Sequence, residues 1–333
     1  MILSPVTIWK KFDLTQALNA ETEAETLTPA GFVAQNVRLD GHLLADGGRV
    51  KIFARFTKPH GSEAAPALLL LPDADDDGAE LADYFAAKGY ATLIPDYCGR
   101  RGGKGTGKVT KSDTAANEAD AAKAEEIAAE ENTDGGKKNY TVSPEAADYA
   151  NYEVSGAPAY LESESVENSA WMEWAYVALY ALEYLKTRSD VSKIGVSGVR
   201  LGGEIAWMIT LSPDISCAVI VNAAGWRSHL SAPKWGAASA AGEKSQDSGE
   251  EADAVRAFIA GVEAESYAPF VKCPVLMCCA MEDTFFDCDR AYDTFVRLGN
   301  PDGSGIVYSA DSGKCIGPYA LTDIDLFLER HLK

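Results

Sequence analysis

The run Ile194 to Gly203, I-G-V-S-G-V-R-L-G-G, sets an apolar strand against glycines and then a helical stretch. No other feature constrains the fold as strongly. Gly198 and Gly202 stand at the two glycine positions of the pattern G-x-S-x-G, a strained strand-to-helix turn whose tip carries a nucleophile. The small residues let the backbone pass close by. The tip itself is Arg200, where that pattern has serine. A guanidinium stays protonated and has no acceptor lone pair, so it cannot attack a carbonyl. The spacing therefore predicts the scaffold of a catalytic elbow without its ordinary chemistry.

The rest of the chain supplies what such an elbow needs around it. Gly31 to Asp40 reads as a strand, and Arg49 to Phe56 alternates as a second one, with Asp46-Gly47-Gly48 before it as a hairpin turn. Ala67 to Leu71 and Tyr90 to Pro95 are continuous apolar runs of the kind buried on both faces of a parallel sheet, separated by a helix over 79–88. A long helix over 169–187 carries Trp171, Trp174, Val177, Ala178, Ala181, Leu182 and Leu185 on one stripe. Strands at Cys217 to Asn222, Pro274 to Ala280 and Ile306 to Tyr308 follow, with helical runs between them. Alternation of this kind predicts an α/β fold: a mostly parallel central sheet with helices on both faces. With no internal repeat, 1–333 reads as one domain. It has an N-terminal segment at 1–45, a surface insertion at 102–138 that lacks large apolar residues, and a small lid loop at 223–250.

Composition narrows the partners. Fifty acidic residues against thirty basic ones give a formal charge of −20, which argues against nucleic acid and anionic membranes, both of which demand positive patches. No apolar stretch approaches the roughly 20 residues of a membrane span, and Met1 to Leu14 lacks the layout of a secretion signal. A cytoplasmic protein is expected, as a monomer or a homodimer. Seven cysteines, without a C-x-x-C pair, read as buried free thiols. Four scattered histidines give no metal-ligand spacing, so neither a metal nor a cofactor is expected.

Four stretches, in this order, resemble the α/β-hydrolase superfamily, and within it the acetyl-xylan-esterase, dienelactone-hydrolase and acyl-CoA-thioesterase branch. They are A-L-L-L-L-P-D with its helix and Y-A-T-L-I-P-D-Y, then Y-T-V-S-P-E-A-A-D-Y-A-N-Y-E before W-M-E-W, then the elbow. Last comes P-V-L-M-C-C-A-M-E-D through G-K-C-I-G-P-Y. The likeness covers roughly 45–333 without the insertion. It implies the α/β-hydrolase fold, descent from carboxylic-ester hydrolases, and a triad in the chain order serine, acid, histidine. By that order Arg200 holds the serine position and Asp283 the acid position, with Glu282 beside it. Lys314, in G-K-C-I-G-P-Y, holds the histidine position. For the oxyanion hole the resemblance points to Asp73 and Ala74 after the strand at 67–71, and to Leu201 after the elbow. Four aspartates crowd that first loop and oppose a developing negative oxygen.

Two of the three triad positions thus carry cations. A lysine with a reference pKa near 10.4 is a poor base, and a neighbouring carboxylate raises it further. Arg200, Asp283 and Lys314 can form a salt-bridge plug across the old site. Alternatively they form an anion site for a small anionic or acylated molecule. Two other readings stand beside these: an active ester hydrolase using Cys315 or Ser197, and a partner-binding module that uses the acidic insertion. G-G-K-G-T-G-K at 102–108 nearly matches a phosphate-binding loop, but Val109 stands where the hydroxyl is needed. D-A-D-D-D-G from Asp73 begins like a calcium loop, and its twelfth position is Tyr84, not glutamate. Neither motif carries a site.

Overall fold

The structure is a computed structural model. It describes residues 4–43, 49–61, 64–73, 76–98, 166–223, 257–258, 260–283, 291–310 and 316–333. The expected hairpin turn at 46–48, the insertion at 102–138 and almost all of the lid loop at 223–250 lie outside them.

A ten-stranded sheet organises the molecule. Its strands are β1 (Glu21–Thr22), β2 (Thr26–Leu27), β3 (Val33–Leu43), β4 (Arg49–Lys58), β5 (Ala65–Leu71), β6 (Ala91–Pro95), β7 (Val191–Val199), β8 (Ile215–Val221), β9 (Val275–Ala280) and β10 (Gly305–Ser309). They lie in the order β1-β3-β4-β6-β5-β7-β8-β9-β10, with β2 also on β3. From β6 to β10 every neighbouring pair is parallel, and β3 and β4 join antiparallel at one end. The apolar runs explain the parallel part. Leu68 to Leu71 are all fully buried, because alternate side chains feed two separate cores and both faces must be dry.

One core holds Leu69, Leu71, Val196, Ala218 and Ile220 under helices α3 (Ala170–Thr187) and α4 (Leu201–Ile209). The other holds Leu68, Leu70, Val219 and Val221 under α2 (Ala79–Ala87) and α7 (Pro318–His331). Burying one such leucine contributes roughly 1.5–3 kcal/mol, so these strands anchor whatever is built on their ends.

One expectation needs correction. Helix α3 is not an amphipathic helix with one apolar stripe: Met172, Ala175, Leu179, Tyr180 and Tyr184 are buried as well. It packs against α4 and the sheet, and a segment from the start of the chain covers it as well. Around α1 (Pro5–Trp9) the N-terminal segment lays Ile8 into the main core and wraps over α3. Tyr176 Oη accepts from the Asp13 amide at 2.8 Å and donates to the Lys11 carbonyl at 2.8 Å, and Tyr180 Oη donates to the Asp13 carbonyl at 2.9 Å. Strand β3 pairs with β4 along most of its length. The remaining helices of the described residues, α5 (Ala264–Tyr267) and α6 (Ala291–Phe295), are short. No helix among the described residues is long and apolar enough to cross a membrane.

Candidate active site

The strand order itself creates a crevice. From β5 the chain moves to β6 on one side, then returns to β7 on the other. Open α/β sheets bind ligands at such a switch point, outside the carboxyl ends of the strands. Asp73 follows β5 by two residues, Arg200 follows β7 directly, and Asp283 follows β9 by three. Elements far apart in sequence thus bring three of the sequence-predicted positions to one place.

The elbow is present and strained. Arg200 has φ +50° and ψ −115°, a backbone conformation that side-chain-bearing residues seldom adopt and that costs of order 1–3 kcal/mol. Its amide donates to the Val221 carbonyl at 2.9 Å, and its carbonyl accepts from the Glu204 amide at 3.0 Å, which starts α4. The glycines enforce the bend. A Cβ on Gly198 would meet the Gly202 carbonyl oxygen at 2.4 Å, and one on Gly202 would meet the Leu71 carbonyl oxygen at 1.8 Å. Helix α4 thus presses directly on the backbone of β5, and the chain turns sharply at Arg200. The strain that would present a nucleophile has been kept around a residue that cannot act as one.

Arg200 is also closed in. Its Nη2 lies 3.3 Å from Asp283 Oδ2 and 3.4 Å from Oδ1, and both side chains are almost wholly buried, at 4% and 2% exposure. The backbone that carries Asp283 is held from behind. Asn222, itself at φ +49°, accepts the Ala280 amide on Oδ1 at 2.7 Å, and the Asp283 amide donates to the Ala280 carbonyl at 3.2 Å. On the opposite side, Arg200 Nε lies 4.0 Å from Asp73 Oδ2, and Asp73 is 23% exposed. In a serine triad an imidazole links nucleophile to acid. Here one long cationic side chain spans from the elbow to the acid by itself.

The acidic loop after β5 divides its work. Asp76 Oδ1 accepts the Gly78 amide and Asp77 Oδ1 the Ala79 amide, each at 2.8 Å, so these two carboxylates start α2. Asp73 alone of the described ones faces Arg200, while Ala74 and Asp75 lie outside the described residues. No group of acidic, histidine or cysteine side chains that could hold a metal occurs among the described residues.

Two carboxyl groups here were missed from sequence. Glu204, in the first turn of α4, and Glu263, the residue preceding α5, are both buried. Desolvation, then the nearby Glu263 and Asp73, raise the Glu204 carboxyl well above its ordinary 4.5. The one available signal was a charge inside the otherwise apolar run L-G-G-E-I-A-W-M-I. Glu263 gave none. A raised value means that the folded chain holds this proton more tightly than the unfolded chain. Wild-type stability therefore falls as pH climbs from about 4.5 through the folded-state value, and each tenfold change in acidity is worth up to about 1.4 kcal/mol. Glu204→Gln has no proton to lose. Its melting temperature is expected to match or trail wild type at pH 4 and to gain on it steadily above, read by calorimetry at matched ionic strength. Parallel profiles would contradict the assignment.

The other predicted residues fall as follows. Leu201 is buried as the first residue of α4. Lys314 and Cys315 lie outside the described residues, as do Cys288 and His229. Ser197 sits in β7 at 2% exposure, beside Val219 and Leu70, and its hydroxyl has no hydrogen-bond partner among the described residues. It packs within the sheet. Cys98, Cys217, Cys273, Cys278 and Cys279 are buried, and burial pushes the Cys217 and Cys273 thiols up to about 12. Such thiols are inert toward carbonyls at neutral pH.

No protein-family model matches the chain, and no curated protein matches it in sequence. Solved structures do. Acetyl xylan esterase 1 from a Thermoanaerobacterium species is similar with a TM-score of 0.67 at 13% identity, over 98% of this chain and 93% of that one. An acetyl xylan esterase from a Paenibacillus species is similar with a TM-score of 0.67 at 16% identity, over 98% and 94%. An esterase from Pyrococcus furiosus gives 0.55 at 14% identity, over 96% and 100%. The similarity reaches beyond the expected 45–333 and takes in the N-terminal strands. With ten strands in this order, helices on both faces and an elbow at the switch point, the chain has the α/β-hydrolase fold of these esterases.

Proposed function

We propose that this chain is an esterase-like α/β-hydrolase-fold protein without serine-hydrolase turnover, its old active site held shut by an ion pair. One observation carries the reading. The tip of the elbow is a guanidinium bound at 3.3 Å to the acid of the former triad, with both groups buried. A buried cation paired in this way offers no electron pair to a carbonyl, and it fills the space between elbow and acid. The acidic surroundings add to this. Asp73 puts a carboxylate beside the elbow, where ester hydrolysis needs donors aimed at a developing oxyanion.

The resemblance to carboxylic-ester hydrolases suggests what the fold once handled. A cleft kept for a small anionic or acylated molecule is the binding version of the proposal. Buried cysteines and a strongly acidic composition favour a cytoplasmic location. Hydrolysis of p-nitrophenyl acetate by the full chain tests the main reading. The rate is expected to equal that of heat-denatured protein. Turnover abolished by Ser197→Ala or Cys315→Ala would establish the unorthodox hydrolase in its place.

A further inference from the structure

The start of the chain reaches further than α3. Ile8, wholly buried, and Val166 both lie against Gly261, where an added Cβ would stand 3.2 Å from Ile8 Cδ1 and 2.6 Å from Val166 Cγ2. Lys11 pairs at 3.3 Å with Glu167, the next residue along. Gly261 is fixed in turn to α5, because its carbonyl accepts the Tyr267 hydroxyl at 2.7 Å and the Glu263 carbonyl accepts the Ser266 amide at 3.0 Å. Helix α5 packs on α4, where Glu263 acts on the buried Glu204. The first residues of the chain thus brace the turn that brings Glu263 to the elbow helix. Their own anchorage is slight. Helix α1 buries only Pro5 and Ile8, and beyond it the segment is tied by hydrogen bonds to Tyr176, Tyr180, Arg49 and the Asp40 amide. Asn19, at φ +41°, turns the chain out of it toward β1. Segments with so few buried apolar side chains open locally at lower free energy than a central sheet.

We propose that residues 4–18 form a detachable strap whose docking holds the Glu263 turn against α4 and keeps Glu204 out of water. The charged groups that face Glu204 are Glu263 from the turn before α5 and Asp73 from the loop after β5, with Arg200 at the start of its own helix. The side chains that α3, β5, β7 and β8 bring to this core, Trp174, Leu71, Val196 and Ile220 among them, are apolar. Desolvation, then Glu263 and Asp73, hold the Glu204 proton well above the ordinary 4.5 while the strap is docked. Opening returns the carboxyl to water, where it releases that proton. The strap is therefore a proton-linked clasp: closed in acid, and opening more often as pH climbs above about 4.5. For one proton the open fraction rises by up to about tenfold per pH unit. The inference goes beyond the silent-hydrolase reading and does not depend on it.

Hydrogen–deuterium exchange of the full chain, read by mass spectrometry between about pH 5 and 8 and corrected for intrinsic exchange chemistry, tests the clasp. Peptides covering 4–13 and 260–268 are expected to open together, more often than β5 and β7, and increasingly with pH. Glu204→Gln should flatten that pH dependence in both peptides, because no proton is left to release. Ile8→Ala should raise opening at least about tenfold in both at every pH, with β7 still the better protected. Should Ile8→Ala not fold, wild type and Glu204→Gln decide the matter. Three results overturn the proposal: opening of the two peptides at unrelated rates, opening of both only together with β7, or a pH dependence that survives unchanged in Glu204→Gln.

Discussion

Gly202→Ala is expected to leave the chain unable to reach its fold. The added Cβ would lie 1.8 Å from the Leu71 carbonyl oxygen and 2.4 Å from its carbon. Both are backbone atoms of a central strand, so no side chain can swing away. Strand β5 is bonded on one side to β6 and on the other to β7, and α4 is fixed by the elbow that follows β7. Relief requires separating helix from sheet through the main core. Such overlaps belong with the rare substitutions that cost more than about 4–5 kcal/mol, against a total stability of roughly 5–15 kcal/mol. Soluble yield and far-ultraviolet circular dichroism read the outcome. Gly195→Ala is the control: its Cβ would meet Leu68 Cδ2 at 3.2 Å and the Cys217 carbonyl oxygen at 3.3 Å, contacts that shifts of a few tenths of an ångström relieve. A folded, soluble Gly202→Ala would show that helix and strand are not in the close contact described.

Arg200→Ser, which restores the residue type of the elbow pattern, is expected to weaken the protein and give no activity. It takes the guanidinium away from Asp283 and Asp73 while leaving the backbone strain in place, because serine also carries a Cβ. Removing one partner of a buried ion pair typically costs about 3–5 kcal/mol. The restored hydroxyl would face carboxylates, and the histidine position is expected to hold Lys314, so no neutral base is supplied. Denaturant unfolding should show the loss and p-nitrophenyl acetate should show no gain. Unchanged stability would mean that the Arg200–Asp283 pair contributes nothing. Hydrolysis by the single variant would mean that the rest of the machinery had survived.

How much of this was legible in the sequence depends on the range of the interaction. The parallel sheet and the elbow were, because apolar runs and glycine spacing act within a few residues. Arg200 at the tip followed from the glycine spacing, whereas Asp283 after β9 was named only through the resemblance to the hydrolase family. The role of α3 was not legible. Its Tyr176 is held by a segment 163 residues away, through the Asp13–Tyr176 contact, and no periodicity encodes that. The aspartates after β5 looked like one acidic cluster. Asp76 and Asp77 in fact accept amides two residues ahead of them at the start of a helix, a local pattern that D-D-G-A does display. Glu204 and Glu263 come together only when α4 and α5 pack. Sequence offers no measure of that.

The central claim is that nothing at the end of β7 can attack an electrophile. Incubation of the purified full chain with a fluorophosphonate, followed by intact-mass measurement, asks this directly. The predicted spectrum contains the unmodified chain alone, under conditions in which a serine esterase is fully labelled. A stoichiometric phosphonyl adduct, mapped by peptide mass to Ser197, Cys315 or any other residue lining the crevice, would contradict it.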